Sequence, residues 1–112
     1  MSFDTFLNAY LECADWADCG PDHETEGAEW APQTLARFEA DARAFYDAHG
    51  GDIEDDSQAG HDFWLTRRGH GAGFWDRDGF DQSPALQRLD AAARAFGNLD
   101  LYLGDDGRVY AA

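Results

Sequence analysis

The sequence contains no lysine, and eight arginines are its only permanently positive side chains. Against them stand 23 carboxylates, 17 of them aspartate, which leave a formal net charge of −15 at pH 7. A surface so short of positive charge should repel nucleic acid and anionic membranes and attract basic grooves. The composition therefore argues against direct nucleic-acid or membrane binding and favours a basic protein partner.

Long hydrophobic runs are also missing. No apolar segment approaches the roughly 18–20 residues that span a bilayer, and no charged-then-apolar signal peptide opens the chain. The only two cysteines, Cys13 and Cys19, fall on different faces of a predicted helix, so we expect free thiols in a reducing compartment. These observations predict a soluble, cytoplasmic protein.

The length predicts a single domain, 1–112, that can bury one modest core. A hydrophobic fraction of 44% argues against intrinsic disorder. The charge is unevenly distributed along this domain: residues 1–62 carry 16 carboxylates and two arginines, whereas residues 63–112 carry seven carboxylates and six arginines. Nearly all of the imbalance therefore lies in the N-terminal half of the sequence.

Three helices are predicted from apolar periodicity and from start and stop residues. The first covers 3–17, begins after a capping Ser2, and carries a line of polar residues opposite its apolar face. The second covers about 33–48 and ends at Gly50-Gly51. The third begins at Ser83-Pro84 and ends at Gly97.

Two β-hairpins are also expected. Alternating aromatic and β-branched residues at 62–67 predict a strand that enters a glycine-rich bend at 69–73 and returns. Residues 99–103 and 108–110, joined by a Gly-Asp-Asp-Gly turn, predict a closing hairpin. The predicted fold is α+β, with about three helices packed on a small antiparallel sheet in the order ααββαββ.

Catalytic and metal-ligating patterns are weak. His61, Asp62, His70, Asp76 and Asp78 could converge across the first predicted hairpin, but their spacing matches no ligand signature. Residues 76–81 depart from a calcium-binding loop in the position of their glycine and lack its final glutamate. We therefore predict no metal, no cofactor and no catalytic residues.

Acidic residues instead form three groups: the outer face of the first helix, a loop at 18–33 and a second loop at 52–60. The spacing on the helix stacks carboxylates at steps of roughly 5–6 Å along one line. The carboxylates that we predict to bind a partner are Glu12, Asp15, Asp18, Asp22, Glu24, Glu26, Glu29, Asp52, Glu54, Asp55 and Asp56.

Four segments resemble a group of small phage and prophage proteins that have no assigned activity. They are 6–13 (FLNAYLEC), 60–67 (GHDFWLTR), 69–76 (GHGAGFWD) and 101–107 (LYLGDDG). In size and acidity the chain also resembles phage anti-CRISPR proteins, especially those that block type I surveillance complexes by imitating DNA. The resemblance transfers no residue roles.

The resemblance and the charge together suggest a monomeric phage-encoded inhibitor, acting in the cytoplasm of an infected bacterium. Its carboxylates would occupy the basic DNA-binding groove of a host complex such as a CRISPR surveillance complex, in place of DNA phosphates. Two alternatives remain open. One is a small metal-dependent or hydrolytic enzyme using His61, Asp62 and His70, and the other is an acidic protein adapted to high salt.

Overall fold

Helices form most of the chain in the computed structural model, which describes residues 2–18, 25, 27–69 and 72–111. The α-helices are α1 (Phe3–Asp18), α2 (Pro32–His49), α3 (Asp56–Arg68) and α4 (Pro84–Phe96). Short 3-10 turns cover Gly50–Asp52, Phe74–Asp76 and Phe80–Gln82. A hairpin of β1 (Leu101–Leu103) and β2 (Val109–Ala111) closes the described part of the chain.

Local start and stop residues set the ends of three helices, and the predictions for α1, α2 and α4 are confirmed. At the start of α1, the Ser2 hydroxyl accepts a hydrogen bond from the Thr5 amide at 3.3 Å. Pro32 occupies the first turn of α2. At the start of α4, the Ser83 hydroxyl accepts from the Leu86 amide at 3.1 Å. The two serine side chains satisfy amides that a helix leaves without internal partners, and Pro32 has no amide hydrogen to satisfy.

The predicted strand at 62–67 is wrong, because these residues belong to α3. The Asp55 carboxylate caps this helix by accepting from the Gln58 amide at 3.1 Å. Gly69 ends it in the left-handed conformation at φ 71°. Between the caps, burial recurs at helical spacing (59–60, 62–64 and 66–67). Packing thus overrides the β propensity of the aromatic and β-branched residues.

The fold class changes with this correction. The first predicted hairpin is absent from the described residues, and the acidic loop at 52–60 gives way to helix at Asp56. The α+β fold of three helices on a two-hairpin sheet is therefore wrong. The described residues form a helix-rich fold with one two-stranded antiparallel sheet.

The closing hairpin is confirmed, with Tyr102 paired to Tyr110 at the centre of its register. It is joined to the start of α2 through Val109. The Val109 amide donates to the Glu29 carbonyl at 2.8 Å, and its carbonyl accepts from the Ala31 amide at 3.0 Å and from the Thr34 hydroxyl at 2.9 Å. The sheet therefore fixes the segment that enters α2.

Stacked aromatic rings form the centre of the core. The Phe63 ring of α3 lies 4.3 Å from Phe45 of α2 and 4.8 Å from Tyr10 of α1, measured between ring centroids, and both pairs are stacked. Phe96 of α4 meets Phe63 edge-on at 5.4 Å. Such pairs each add about 0.5–1.5 kcal/mol beyond area burial, and Phe63 makes one with each of the other three helices.

Helices α1 and α3 approach closely at Gly60. A Cβ atom at this position would lie 2.4 Å from the Phe6 carbonyl oxygen and 2.8 Å from the Ala9 Cβ. Such distances are far below van der Waals contact, so the position accepts only glycine without movement of a helix. The spacing of α1 and α3 therefore depends on this residue.

The buried Arg67 side chain, only 4% exposed, connects the four helices through polar contacts. From α3 it donates to the Tyr10 hydroxyl at 3.0 Å and to the Asp41 carboxylate at 2.8 Å. It also donates to the Gly97 carbonyl at 2.9 Å and the Phe96 carbonyl at 3.2 Å. These carbonyls lie at the C-terminal end of α4, where backbone acceptors lack helical partners and positive charge is favoured.

Among the described residues, no helix is both long enough and apolar enough to cross a membrane.

Replacing Gly60 by alanine should lower the free energy of unfolding by about 1–3 kcal/mol, because the added methyl group overpacks the α1–α3 contact. The loss should occur although alanine favours helix over glycine by about 1 kcal/mol. Urea unfolding followed by circular dichroism measures the change. Gly51→Ala is the control, since no heavy atom lies within 4 Å of its added Cβ. Equal effects of the two substitutions would contradict this reading.

Replacing Arg67 by methionine should destabilise the fold by about 3 kcal/mol, the lower end for breaking a buried ion pair, because Asp41 keeps some water contact. The substitution leaves two carbonyls and a carboxylate without their donor. Arg108→Met, which alters an exposed side chain, should change stability by less than about 0.5 kcal/mol. If the Arg67→Met protein is as stable as the wild type in the same urea experiment, Arg67 does not hold the four helices together.

Candidate functional site

Most of the arginines form ion pairs. Within the described residues, six of the eight make an ion pair with aspartate: Arg43–Asp47, Arg67–Asp41, Arg68–Asp18 and Asp100, Arg77–Asp62, Arg88–Asp52 and Arg94–Asp90. Four of them join an arginine after residue 62 to an aspartate at or before it. The positive charge of the C-terminal half is therefore used to neutralise acids of the N-terminal half.

The eleven carboxylates predicted to bind a partner separate into three sets. Five are exposed on the described surface: Glu12, Asp15, Glu29, Glu54 and Asp55. Three are engaged in contacts within the fold: Asp18, Asp52 and Asp56. The remaining three, Asp22, Glu24 and Glu26, lie outside the described residues. Among the described members, the first set is the exposed one, and its Asp55 also caps α3.

Asp18 lies inside the fold at the end of α1, although the sequence placed it on the outer face. Its carboxylate accepts a hydrogen bond from the Trp64 indole nitrogen and lies 3.5 Å from the Arg68 guanidinium. A carboxylate that is buried, hydrogen-bonded and paired with arginine fixes neighbouring elements. Here it joins the end of α1 to α3.

Asp52 and Asp56 hold the segment before α3 in place. Asp52 binds the Arg88 guanidinium of α4 through two hydrogen bonds of 2.9 and 2.8 Å. These bonds hold the pKa of the Asp52 carboxyl below its usual range. Asp56 accepts from the Ser2 amide at 2.7 Å and from the Tyr46 hydroxyl at 3.1 Å. Both carboxylates are thus engaged in hydrogen bonds within the protein.

The outer face of α1 is the clearest acidic surface. Glu12 and Asp15 are exposed on it, as the helical spacing predicted. Beside them lies Trp16, which is 74% exposed and is the most exposed large hydrophobic residue of the described chain. Exposed tryptophans are frequent anchors in protein interfaces. Sequence reasoning missed Trp16, although its position outside the apolar stripe of α1 was a usable signal.

The residues considered for catalysis assemble only in part: Asp62, Asp76 and Asp78 line one cleft, and His61 is not among its described lining residues. His61 is half-buried on α3, whereas its neighbour Asp62 is 1% exposed. The Asp62 carboxylate binds the Arg77 guanidinium through bonds of 2.9 and 2.6 Å. His70 lies outside the described residues, and no group of three or more potential metal ligands occurs within them. Asp62 therefore has a structural partner in Arg77.

Cys13 lies in the core at the α1–α3 contact. Burial, together with the negative charges of Asp18, Asp62 and Glu12, raises the pKa of its thiol to about 12. Burial likewise raises the pKa of the Tyr10 hydroxyl. Because the thiolate is the reactive form of cysteine, this environment keeps Cys13 unreactive. Cys19 lies outside the described residues.

Comparison with known proteins gives no match: neither a protein family, nor a curated protein, nor a solved structure corresponds to this chain.

In the folded protein, Cys13 should resist alkylation by iodoacetamide at pH 8, because its thiol stays protonated far above that pH. In urea, where the pKa returns to about 8.5, it should react at the rate of a free cysteine. Mass spectrometry of digested peptides distinguishes Cys13 from Cys19. Rapid labelling of Cys13 under native conditions would contradict the deduced environment.

Proposed function

We propose that this protein is an inhibitor, of the anti-CRISPR kind found in phages, that occupies the basic DNA-binding groove of a type I CRISPR surveillance complex. It would act in the cytoplasm of an infected bacterium. Carboxylates would take the positions of DNA phosphates, so that target DNA no longer binds. The partner is then a protein surface rich in lysine and arginine.

One observation carries the proposal: within the described residues, six arginines form ion pairs with aspartate, while several carboxylates are exposed and unpaired. Within the described part of the chain, Glu12, Asp15 and Glu29 are exposed, and none makes a side-chain hydrogen bond or an ion pair. When such carboxylates bind cationic side chains, no hydrogen bond or ion pair within the protein has to break first. They also steer a positively charged partner towards the protein.

Trp16 supports a specific contact at the same surface. Carboxylates alone give attraction but little selectivity between basic partners. A large exposed ring beside Glu12 and Asp15 supplies apolar area and can stack on an arginine of the partner. The outer face of α1 would therefore form the centre of the interface.

Adaptation to high salt is the second candidate explanation of the acidity, and one observation favours it. Exposed carboxylates without an ion pair also occur in the C-terminal half of the described chain, at Asp76, Asp78, Asp81 and Asp105. The folded surface is thus more evenly acidic than the sequence suggests. On this alternative, molar salt should raise the free energy of unfolding markedly, and no basic partner should be needed.

Reversal of three exposed carboxylates, Glu12→Lys, Asp15→Lys and Glu29→Lys together, should weaken inhibition of target-DNA binding at least about tenfold, because close charge pairs across an interface are strongly coupled. A reconstituted type I surveillance complex provides the assay, with DNA binding followed over a salt series. Wild-type inhibition should weaken steeply as salt rises.

The matched control reverses Glu39, Asp81 and Asp105, which changes the net charge equally at exposed positions outside the proposed surface. It should keep most of the inhibition. Full potency of the first variant would reject charge imitation at this surface. Equal loss of inhibition in both variants would show that net charge alone accounts for the effect. If molar salt stabilises the fold and no inhibition is found, the high-salt explanation is favoured.

A further inference from the structure

A cleft of about 620 Å³ lies between the segment that enters α3 and the segment that leads into α4. One wall is formed by residues 52–55 and the first turns of α3, and the other by residues 76–79 and the first turn of α4. Four largely buried apolar side chains form its floor: Ile53, Ala59, Phe74 and Leu89. The cleft thus has the volume and the apolar base of a ligand site.

The walls of this cleft are strongly acidic. Among the described residues, six carboxylates line it, namely Asp52, Glu54, Asp55, Asp62, Asp76 and Asp78, and Arg77 is the only basic lining residue. The carboxylates of Glu54, Asp76 and Asp78 are exposed and make no side-chain hydrogen bond or ion pair within the described residues. An apolar floor below unpaired carboxylates is complementary to a cation carried on an apolar stem.

Two other carboxylates in the walls already bind guanidinium groups of the chain itself. Asp62 holds the Arg77 guanidinium through two hydrogen bonds, and Asp52 holds that of Arg88 in the same way. Bidentate pairing of this kind needs the planar fork of a guanidinium, which an ammonium group lacks. Within the described residues the carboxylates form no cluster suited to a metal ion.

We propose that the cleft receives an arginine side chain from the basic partner, with its methylene stem on the apolar floor and its guanidinium among Glu54, Asp76 and Asp78. This inference rests on the proposed function, since it names one residue type that the partner contributes. It also assigns a role to two aspartates, Asp76 and Asp78, that lie outside the surface predicted from the sequence.

A peptide titration tests the cleft without any surveillance complex. The probe is the blocked peptide acetyl-Ala-Arg-Ala-amide, added to the ¹⁵N-labelled protein and followed by NMR. Saturable shifts are expected at the amides of cleft residues such as Ile53, Ala59, Gly79 and Leu86. The neutral isostere, with citrulline in place of arginine, should bind at least about tenfold more weakly, because it lacks the charge.

The test variant removes the unpaired carboxylates as Glu54→Gln, Asp76→Asn and Asp78→Asn. It should bind the arginine peptide at least about tenfold more weakly than the wild type. Its fold is checked by circular dichroism, and the exposed positions of all three residues favour a folded variant. The control Glu39→Gln, Asp47→Asn and Asp105→Asn removes the same charge away from the cleft and should bind normally.

Three outcomes would overturn the inference: equal weakening in both variants, equal binding of the citrulline peptide, or tighter binding of a lysine peptide or spermidine than of arginine. Different outcomes would reject the proposed function. Peptide binding in the cleft with no effect on any surveillance complex would reject the function alone. Full inhibition by the cleft variant, after loss of peptide binding, would reject the role of the cleft alone.

Discussion

The buried guanidinium of Arg67 is the interaction on which the arrangement of helices depends. It lies on α3 and reaches a hydroxyl on α1, a carboxylate on α2 and two carbonyls at the end of α4. Its planar fork satisfies these acceptors at the same time, which a lysine ammonium could not do with fixed geometry. Above it, the Phe63 ring packs against aromatic rings of the other three helices. The polar and the apolar contacts thus specify the same packing.

The same use of arginine determines the character of the surface. Because the arginines pair across the two halves of the sequence, the folded protein hides the uneven charge that the sequence displays. What remains outside is an acidic surface with an exposed tryptophan on α1 and an apolar-floored cleft elsewhere. Both features give a basic partner something more selective than charge to recognise.

Sequence reasoning predicted the elements whose ends carry a local signal. Ser2 and Ser83 marked two helix starts, and the Gly-Asp-Asp-Gly turn marked the hairpin. It failed at α3 because the partners of Asp62 and Arg67 lie far along the chain, so two buried polar residues masked the helical period. For the same reason it placed Asp18 on the surface, whereas Glu12 and Asp15, which need no distant partner, were located correctly.

The absence of lysine has a consequence for the range of pH over which the fold holds. Hydrogen bonds to arginine lower the pKa of Asp52 and Asp100, so their stabilising pairs are lost only as the pH falls through those lowered values. The guanidinium pKa values of Arg77, paired with Asp62, and of Arg88, paired with Asp52, are raised, which keeps these arginines charged in strong alkali. The alkaline limit instead comes from Cys13 and Tyr10, which are buried neutral. Above about pH 8.5 the unfolded chain begins to ionise such groups, which favours unfolding. Alkali therefore destabilises the core, whereas acid destabilises the ion pairs.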